Sequence, residues 1–151
     1  MTAFLFLALA AVQATPAPQP TPAPLSAVDG LPLGVIPKQD LPRQGCAAYL
    51  WTASGTRAFI AMAGADPARL RLAVDGRITD LERSGQMGGG NFGLAETSTY
   101  GGGALVAKLT MRIETRSSIS GGGVVSDGIL ELDRAGQDSV VVPVAGLVGC
   151  A

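Results

Sequence analysis

The sequence predicts an all-β fold over residues 46–151: a single small antiparallel β-sandwich or partly closed barrel of about seven strands. Two observations lead to this prediction. From residue 46 onward, apolar side chains recur with a period of two, which is the period of a strand with one buried face. Turn-forming residues, many of them among the 21 glycines, divide this pattern into short runs, and no stretch of ten residues has helical periodicity.

The first pair of predicted strands flanks Ser54-Gly55. A two-residue turn at this point sets Trp51 opposite Ala58 and Tyr49 opposite Ile60, with the bulkiest side chains of both strands on one face. Aromatic side chains at period two are typical of a core. An exposed binding patch is the alternative for the three aromatic residues of this hairpin: Tyr49, Trp51 and Phe59.

The second hairpin has the strongest short turn signal in the chain, Asp75-Gly76. Pairing across this turn sets Arg71 opposite Asp80 and Arg69 opposite Glu82. Opposite charges that face each other across two strands contribute roughly 0.2–1 kcal/mol per pair. Two such pairs in one register therefore indicate that this register is the native one.

Three longer runs complete the predicted strands. Residues 104–114 alternate between apolar and polar side chains, residues 124–133 do the same, and residues 139–148 form the last run. Pro143 lies inside the last run and has no N–H to donate, so it predicts an edge strand or a bulge. The side chains predicted to face inward from the first two runs are Leu105, Ala107, Leu109, Met111, Ile113, Leu130 and Leu132.

The N-terminus has the pattern of an export signal. An apolar run from Ala3 to Val12 leads into Val12-Gln13-Ala14, which has small residues where a signal peptidase requires them. Roughly ten apolar residues are too few for a membrane-spanning helix, which needs about 20. We therefore expect residues 1–14 to be a signal peptide. An uncleaved anchor is the alternative, because the run is not preceded by a basic residue.

The segment that follows is rich in proline. Between Thr15 and Pro24 every second residue is proline, which favours an extended polyproline II conformation without a core of its own. We interpret residues 15–45 as a Pro-rich extended linker. A stiff spacer is the expected role of its first part, and a ligand for a proline-binding partner is the alternative.

Two cysteines enclose nearly all of the predicted β-domain. Cys46 begins the first predicted strand and Cys150 follows the last one, and the chain has only these two. In an exported protein an even number of cysteines predicts disulfides, and two unpaired buried thiols are the alternative. We therefore predict a β-domain of residues 46–151 that is closed by one Cys46–Cys150 disulfide.

The charge distribution and the basic-residue composition indicate which classes of partner and which cellular compartment to expect. The formal net charge is −1, from 11 basic and 12 acidic residues scattered along the chain, so we expect no nucleic acid partner. No second long apolar stretch follows the signal, so we expect no membrane insertion after cleavage. Lys38 and Lys108 are the only lysines and the other basic residues are arginines. This bias is typical of GC-rich bacterial genomes and favours a periplasmic or secreted bacterial protein.

The composition also excludes much catalytic chemistry. The chain has no histidine, which is the commonest general base and the commonest zinc ligand. If both cysteines are oxidised, thiolate chemistry is excluded as well. Lys108 and the acidic pair Glu131 and Asp133 lie on predicted solvated strand faces. We therefore expect no catalytic residue, no metal site and no cofactor.

Three glycine triplets, at residues 88–90, 101–103 and 121–123, mark the region with the clearest binding potential. Glycine loses more conformational freedom on folding than any other residue, so the triplets predict mobile loops or sharp bends. Plain connectors are one interpretation. The other is a flexible loop over residues 86–103 that adapts to a partner through its larger side chains: Gln86, Met87, Asn91, Phe92 and Tyr100.

The general plan resembles the small disulfide-bonded β-proteins with which bacteria inhibit host lysozyme. Their signature is similar to Ser-Gly-x-x-Tyr, followed downstream by Tyr and Lys-Gly. Here Ser84-Gly85-Gln86-Met87 is not followed by tyrosine, and Tyr100 is followed by glycines without a lysine. The resemblance is therefore confined to the general plan, and it implies a protein-binding function.

Together these features predict an exported, non-catalytic β-domain with a binding or structural role in the bacterial envelope. The alternative is a small-ligand or protein-inhibitor module that uses the Gly-rich 86–103 loop. Under either hypothesis the expected partner is another envelope or extracellular protein.

Overall fold

The computed structural model describes residues 24–151, so the predicted signal peptide and residues 15–23 of the predicted linker lie outside the described residues. No helix in residues 24–151 is long and apolar enough to cross a membrane. Within this range the chain forms nine β-strands: β1 (Leu33–Gly34), β2 (Cys46–Thr52), β3 (Phe59–Gly64), β4 (Arg69–Val74), β5 (Arg77–Asn91), β6 (Leu94–Gly102), β7 (Leu105–Glu114), β8 (Gly122–Arg134) and β9 (Val140–Cys150).

Strands β2 to β9 form a closed antiparallel barrel. Their order is β4-β3-β2-β9-β8-β7-β6-β5, and β5 pairs back onto β4 to close the sheet. Strand β1 is an extra strand that pairs with the last two residues of β4. The all-β prediction is confirmed. The sandwich alternative is wrong, and the barrel is closed rather than partly closed, with eight strands instead of about seven.

The two ends of the barrel are distinguished by the turns and the disulfide that they carry. Because consecutive strands are antiparallel, the β2–β3, β4–β5, β6–β7 and β8–β9 turns share one end, which we call the turn end. The β3–β4, β5–β6 and β7–β8 turns share the other. This second end also carries Cys46 and Cys150, and we call it the disulfide end.

Side chains fill the barrel interior, as expected for eight strands, whose barrel is just wide enough to be packed in this way. The inward faces predicted for the two long runs are confirmed, since Leu109, Met111, Leu130 and Leu132 are all buried. The largest fully buried side chains are Tyr100, Leu33, Ile36, Leu50, Ile60, Leu70, Leu72, Leu81, Leu109, Leu130, Leu132 and Val125.

The β4–β5 hairpin has the predicted register. Asp75 and Gly76 both have positive φ, 48° and 78°, as a tight hairpin turn of this type requires. Arg71 lies opposite Asp80, and its guanidinium donates two hydrogen bonds of 2.7 Å to that carboxylate. The Arg71 hydrogen bond is the main cause that lowers the pKa of Asp80 below its usual range, and burial only partly opposes it.

This ion pair predicts a small pH dependence of stability. A carboxyl whose pKa is lowered by folding stabilises the native state above its unfolded pKa, and the effect is lost as pH falls through the folded pKa. Because water screens the pair, we expect Asp80→Asn to lower the free energy of unfolding by only about 0.5 kcal/mol at pH 7. In urea titrations this difference should vanish at a pH well below 3.8, the usual pKa of aspartate. A difference that persists in acid would contradict the assignment.

The β2–β3 hairpin differs from its predicted register. Trp51 pairs with Phe59 and Tyr49 pairs with Met62, rather than with Ala58 and Ile60. The register shifts between Leu50 and Trp51, and the side chains of Ala48 and Leu50, which alternate with Tyr49 and Trp51, are the ones that face the core. Tyr49 and Trp51 therefore lie on the outside of the barrel, and the prediction that they form the core is wrong.

A contact from outside the hairpin explains the shift. The Asp29 carboxylate accepts hydrogen bonds from the Thr56 backbone N–H (2.9 Å) and from its hydroxyl (2.8 Å). The Thr52 hydroxyl accepts a bond from the Ala58 N–H at 3.0 Å. These bonds hold a connection longer than the two residues that the sequence suggested.

Pro143 lies inside the sheet at no cost in hydrogen bonding. Strand β9 lies between β2 and β8, so the predicted edge position is wrong, and the nearest bulge is on β8 between Val125 and Gly128. The Pro143 carbonyl accepts a bond of 2.9 Å from Ala53, one residue beyond the end of β2. The N and O atoms of a strand residue point to the same side, so the missing N–H faces a place where β2 has ended.

Part of the predicted linker is built into the turn end of the barrel. Leu33 and Gly34 pair with Val74 and Ala73, and the Ile36 N–H donates to the Phe59 carbonyl at 2.9 Å. Through these bonds residues 33–36 continue the sheet where β3 does not reach. The apolar side chains that this segment buries in the core are Val28, Leu33 and Ile36.

The following residues run along the outside of β2, β3 and β4. The Tyr49 hydroxyl donates to the Asp40 carbonyl at 2.9 Å, and the Arg71 guanidinium donates to the Gln39 side chain at 2.9 Å. The described part of the 15–45 segment is therefore attached to the barrel along its length.

The predicted disulfide is present. Cys46 and Cys150 face each other in the β2–β9 ladder, with Cα atoms 4.0 Å apart, and their sulfur atoms are bonded. The bond joins the first residue of β2 to the last residue of β9. It therefore fixes the two strands at which the barrel begins and ends.

Candidate functional site

The residues of the predicted 86–103 loop form a long β-hairpin instead. Strand β5 pairs with β4 only as far as Glu82, and from Gly85 to Asn91 it pairs only with β6. The hairpin turns at Phe92 and Gly93, both with positive φ. Bulges interrupt its ladder after Arg83 and after Met87, so the glycines of residues 88–90 serve a sharp local bend.

The structure separates the five predicted contact residues. Gln86, Met87 and Asn91 are exposed, and Met87 is the most exposed large apolar side chain, with 70 % of its surface accessible. Phe92 packs against the core, beside Gly123, where a side chain would collide with its ring. Tyr100 is fully buried in the barrel. These residues therefore do not form one contact surface.

Tyr100 forms a polar cluster inside the barrel with its neighbours Ser98 and Arg83. Its hydroxyl has no hydrogen-bond partner of good geometry among residues 24–151. Burial raises the pKa of Tyr100 above its usual value, and the nearby Ser98 hydroxyl and Arg83 charge only partly oppose this. Tyr100 is therefore a neutral core residue and is not accessible to a partner.

A cleft opens beside the hairpin, where β6 and β7 separate. Their ladder ends at the pair Thr97–Thr110, although β6 begins at Leu94 and β7 continues to Glu114. The space between the separated ends has a volume of about 240 Å³. Its lining residues are Gly89, Gly90, Asn91, Leu94, Ala95, Glu96, Met111, Arg112 and Ile113. We call this space the β6–β7 cleft.

Two charged residues of opposite sign lie at this cleft, Glu96 and Arg112. Both also line an adjoining groove of about 110 Å³ on the outer surface of β7 and β8. Among the residues that the structure describes, neither forms an ion pair within 4.0 Å. The Glu96 side chain lies over Gly88, where a Cβ atom would be 2.9 Å from that of Glu96.

Of the predicted site residues, the structure places Asn91 at this cleft. Sequence reasoning missed Glu96 and Arg112. Arg112 has the pattern of an ordinary polar strand face, and Glu96 follows the Gly-rich stretch without a motif of its own. Only the end of the β6–β7 ladder brings the two together, and the sequence carries no short-range signal for it.

The β6–β7 cleft offers groups that can bind a partner. Residues 24–151 contain no group of three or more His, Cys, Asp or Glu side chains that could hold a metal ion. Lys108 forms an exposed ion pair of 3.5 Å with Glu131, and Asp133 accepts a hydrogen bond from Ser139. The cleft itself supplies strand backbone, apolar surface and two opposite charges.

A second feature lies on the opposite wall, on the outside of β2, β3 and β9. The Trp51 and Phe59 rings are 4.9 Å apart, and Tyr49 and Phe59 are 6.2 Å apart. Leu147, which lies opposite Tyr49 in the β2–β9 ladder, is exposed beside them, with 51 % of its surface accessible. We call these four residues the outer apolar face. The three aromatics are half-buried on it.

A search against protein-family models, curated proteins and solved structures found no match for this chain.

Proposed function

We propose that this protein is an exported, non-catalytic β-barrel of the bacterial envelope that binds a partner protein at the β6–β7 cleft. The export part of the proposal is supported by the signal-like N-terminus, the disulfide and the proline-rich segment of the sequence. The observation that supports the binding part is the separation of β6 from β7 beyond Thr97–Thr110.

The cleft suits a partner better than the barrel interior does. The interior is filled by apolar side chains, so a ligand there would have to displace core residues such as Leu109 and Tyr100. At the cleft, by contrast, Gly89 has no side chain, and a Cβ atom added there would meet no atom within 4 Å. Binding sites are generally concave and combine apolar lining with a few polar groups, and the cleft has this composition.

The test fills the cleft without disturbing the fold. Gly89→Leu places a bulky side chain in it at a position whose backbone φ suits any residue. Gly85→Leu is the matched control, since Gly85 is exposed on the same strand and does not line the cleft. The unmodified protein and each variant serve as bait, and the proteins that each one captures from periplasmic and extracellular extracts are compared by mass spectrometry. We expect a partner that the unmodified protein and Gly85→Leu retain and that Gly89→Leu loses at least tenfold.

The proposal fails if the two variants and the unmodified protein retain the same proteins in equal amounts. A structural role is the second candidate function, and the outer apolar face favours it, because exposed apolar patches on a folded protein commonly contact another molecule. In that case Leu147→Asp, rather than Gly89→Leu, should abolish retention in the same captures.

A further inference from the structure

We infer that the β6–β7 cleft binds an extended peptide segment, which adds to the barrel as a strand between β6 and β7. This inference rests on the proposed function and names the class of partner. Strand addition is a recurring way of binding peptides, in which main-chain hydrogen bonds give affinity and alternate side chains give specificity.

The backbone at the cleft is prepared for strand pairing. Strand β7 continues to Glu114 and is held on its far side by pairing with β8 through Val124. On its near side, residues 111–114 have no ladder partner in β6, and residues 94–96 of β6 have none in β7. Alternate residues of each strand direct their N–H and C=O groups toward the cleft. Such unpaired strand edges bind extended chains unless they are blocked.

Two residue types that commonly protect strand edges are absent from these segments, whose charged residues are Glu96, Arg112 and Glu114. Neither 94–96 nor 111–114 contains proline, and neither contains lysine, which is the usual charged residue of protected edges. The cleft is also larger than the site of a single bound water. Its volume of about 240 Å³ is several times the roughly 30 Å³ that one water occupies in the liquid.

The side chains at the cleft define the peptide chemistry. Leu94 and Met111 are both 2 % exposed and form an apolar lining, which suits a small apolar side chain. Glu96 favours a basic residue on the peptide and Arg112 favours an acidic one. We therefore expect a segment in which a valine-like residue is flanked by lysine or arginine on one side and by aspartate or glutamate on the other.

The test uses the full chain, with its N-terminus identified by mass spectrometry, and a blocked hexapeptide of sequence Thr-Lys-Val-Asp-Val-Thr. We expect binding by isothermal titration with Kd tighter than about 1 mM. A series of peptides, each N-methylated at one amide, then removes one N–H at a time. Because a strand inserted between β6 and β7 directs alternate N–H groups to one strand and the intervening ones to the other, methylation should weaken binding about tenfold at each central amide and little at the two ends.

Two results would overturn the inference. One is N-methylation of the central amides that leaves binding unchanged. The other is a peptide that does not bind, or that binds the Gly89→Leu variant as well as the unmodified protein. If either occurs while Gly89→Leu still loses the captured partner, the partner binds the cleft through a folded surface and the proposed function stands. If Gly89→Leu loses nothing in the captures, the proposed function itself fails.

Discussion

Removal of the Cys46–Cys150 disulfide is expected to lower the free energy of unfolding by about 4–5 kcal/mol. The two cysteines are 104 residues apart in sequence, so the bond closes a loop that includes every strand of the barrel. In the chain-entropy description, such a crosslink restricts the unfolded chain far more than the folded one. The folded barrel keeps the two strands adjacent without the bond, because β2 and β9 are paired along seven residues.

The measurement is a urea titration of the oxidised protein, the reduced protein and the double variant Cys46→Ala with Cys150→Ala. We expect the reduced protein and the double variant to unfold at similar, much lower urea concentrations. The double variant is the control for the reductant. Because it has no disulfide, the reductant should not change its unfolding transition. Equal transition midpoints with and without the bond would show that it adds no stability to this barrel.

Leu33→Ala is expected to lower the free energy of unfolding by about 2–5 kcal/mol, as for other fully buried leucines. Leu33 belongs to β1 and has no accessible surface, although the sequence placed it in an extended linker. Its side chain packs in the same core as Val74 and Leu72 at the turn end. Truncation would leave a cavity between the N-terminal segment and the barrel.

The control lies two residues away in the same segment. Val35 is 41 % exposed, so Val35→Ala should change stability by only about 0.5 kcal/mol. Both variants are measured by urea unfolding, with the Trp51 fluorescence and the circular dichroism of the strands as probes. If both substitutions had equally small effects, residues 24–36 would not be part of the cooperative fold.

The parts of the fold that the sequence predicted well are determined locally. The β4–β5 hairpin follows from the turn Asp75-Gly76 and from two charge pairs whose register agrees with it. The inward faces of β7 and β8 follow from uninterrupted alternation, because a strand with one buried face must alternate. In each case the residues that set the structure are near neighbours in the chain.

The parts that were predicted wrongly depend on distant contacts. The β2–β3 register depends on Asp29, which is 27 residues from its partner Thr56. The β5–β6 hairpin contains glycines at 88–90, and a chain without side chains gives no alternation to read. Strand β1 has two residues, which is too short for any periodic pattern. Closure of the barrel itself depends on the pairing of β4 with β5 and of β2 with β9 at the same time.

The candidate site was only partly predictable for the same reason. The glycine-rich stretch indicated the correct region, and Asn91 from that region lines the cleft. Glu96 and Arg112 come from different strands and meet only because the β6–β7 ladder stops at Thr97–Thr110. Tyr100 is a candidate from sequence because it follows the same stretch. Its burial follows from the inward face of β6, for which the glycine-rich sequence predicts a loop.

The central claim is that β7 has an open edge at the β6–β7 cleft, and amide hydrogen exchange of residues 111–114 tests it most directly. In the free protein we predict fast exchange at every second amide of this stretch, because those N–H groups face the cleft without a ladder partner. The intervening amides, which face β8, should exchange slowly. The hexapeptide Thr-Lys-Val-Asp-Val-Thr should slow the fast amides at least tenfold. Slow exchange at all four amides in the free protein would contradict the claim, because it would mean that the β6–β7 ladder is closed.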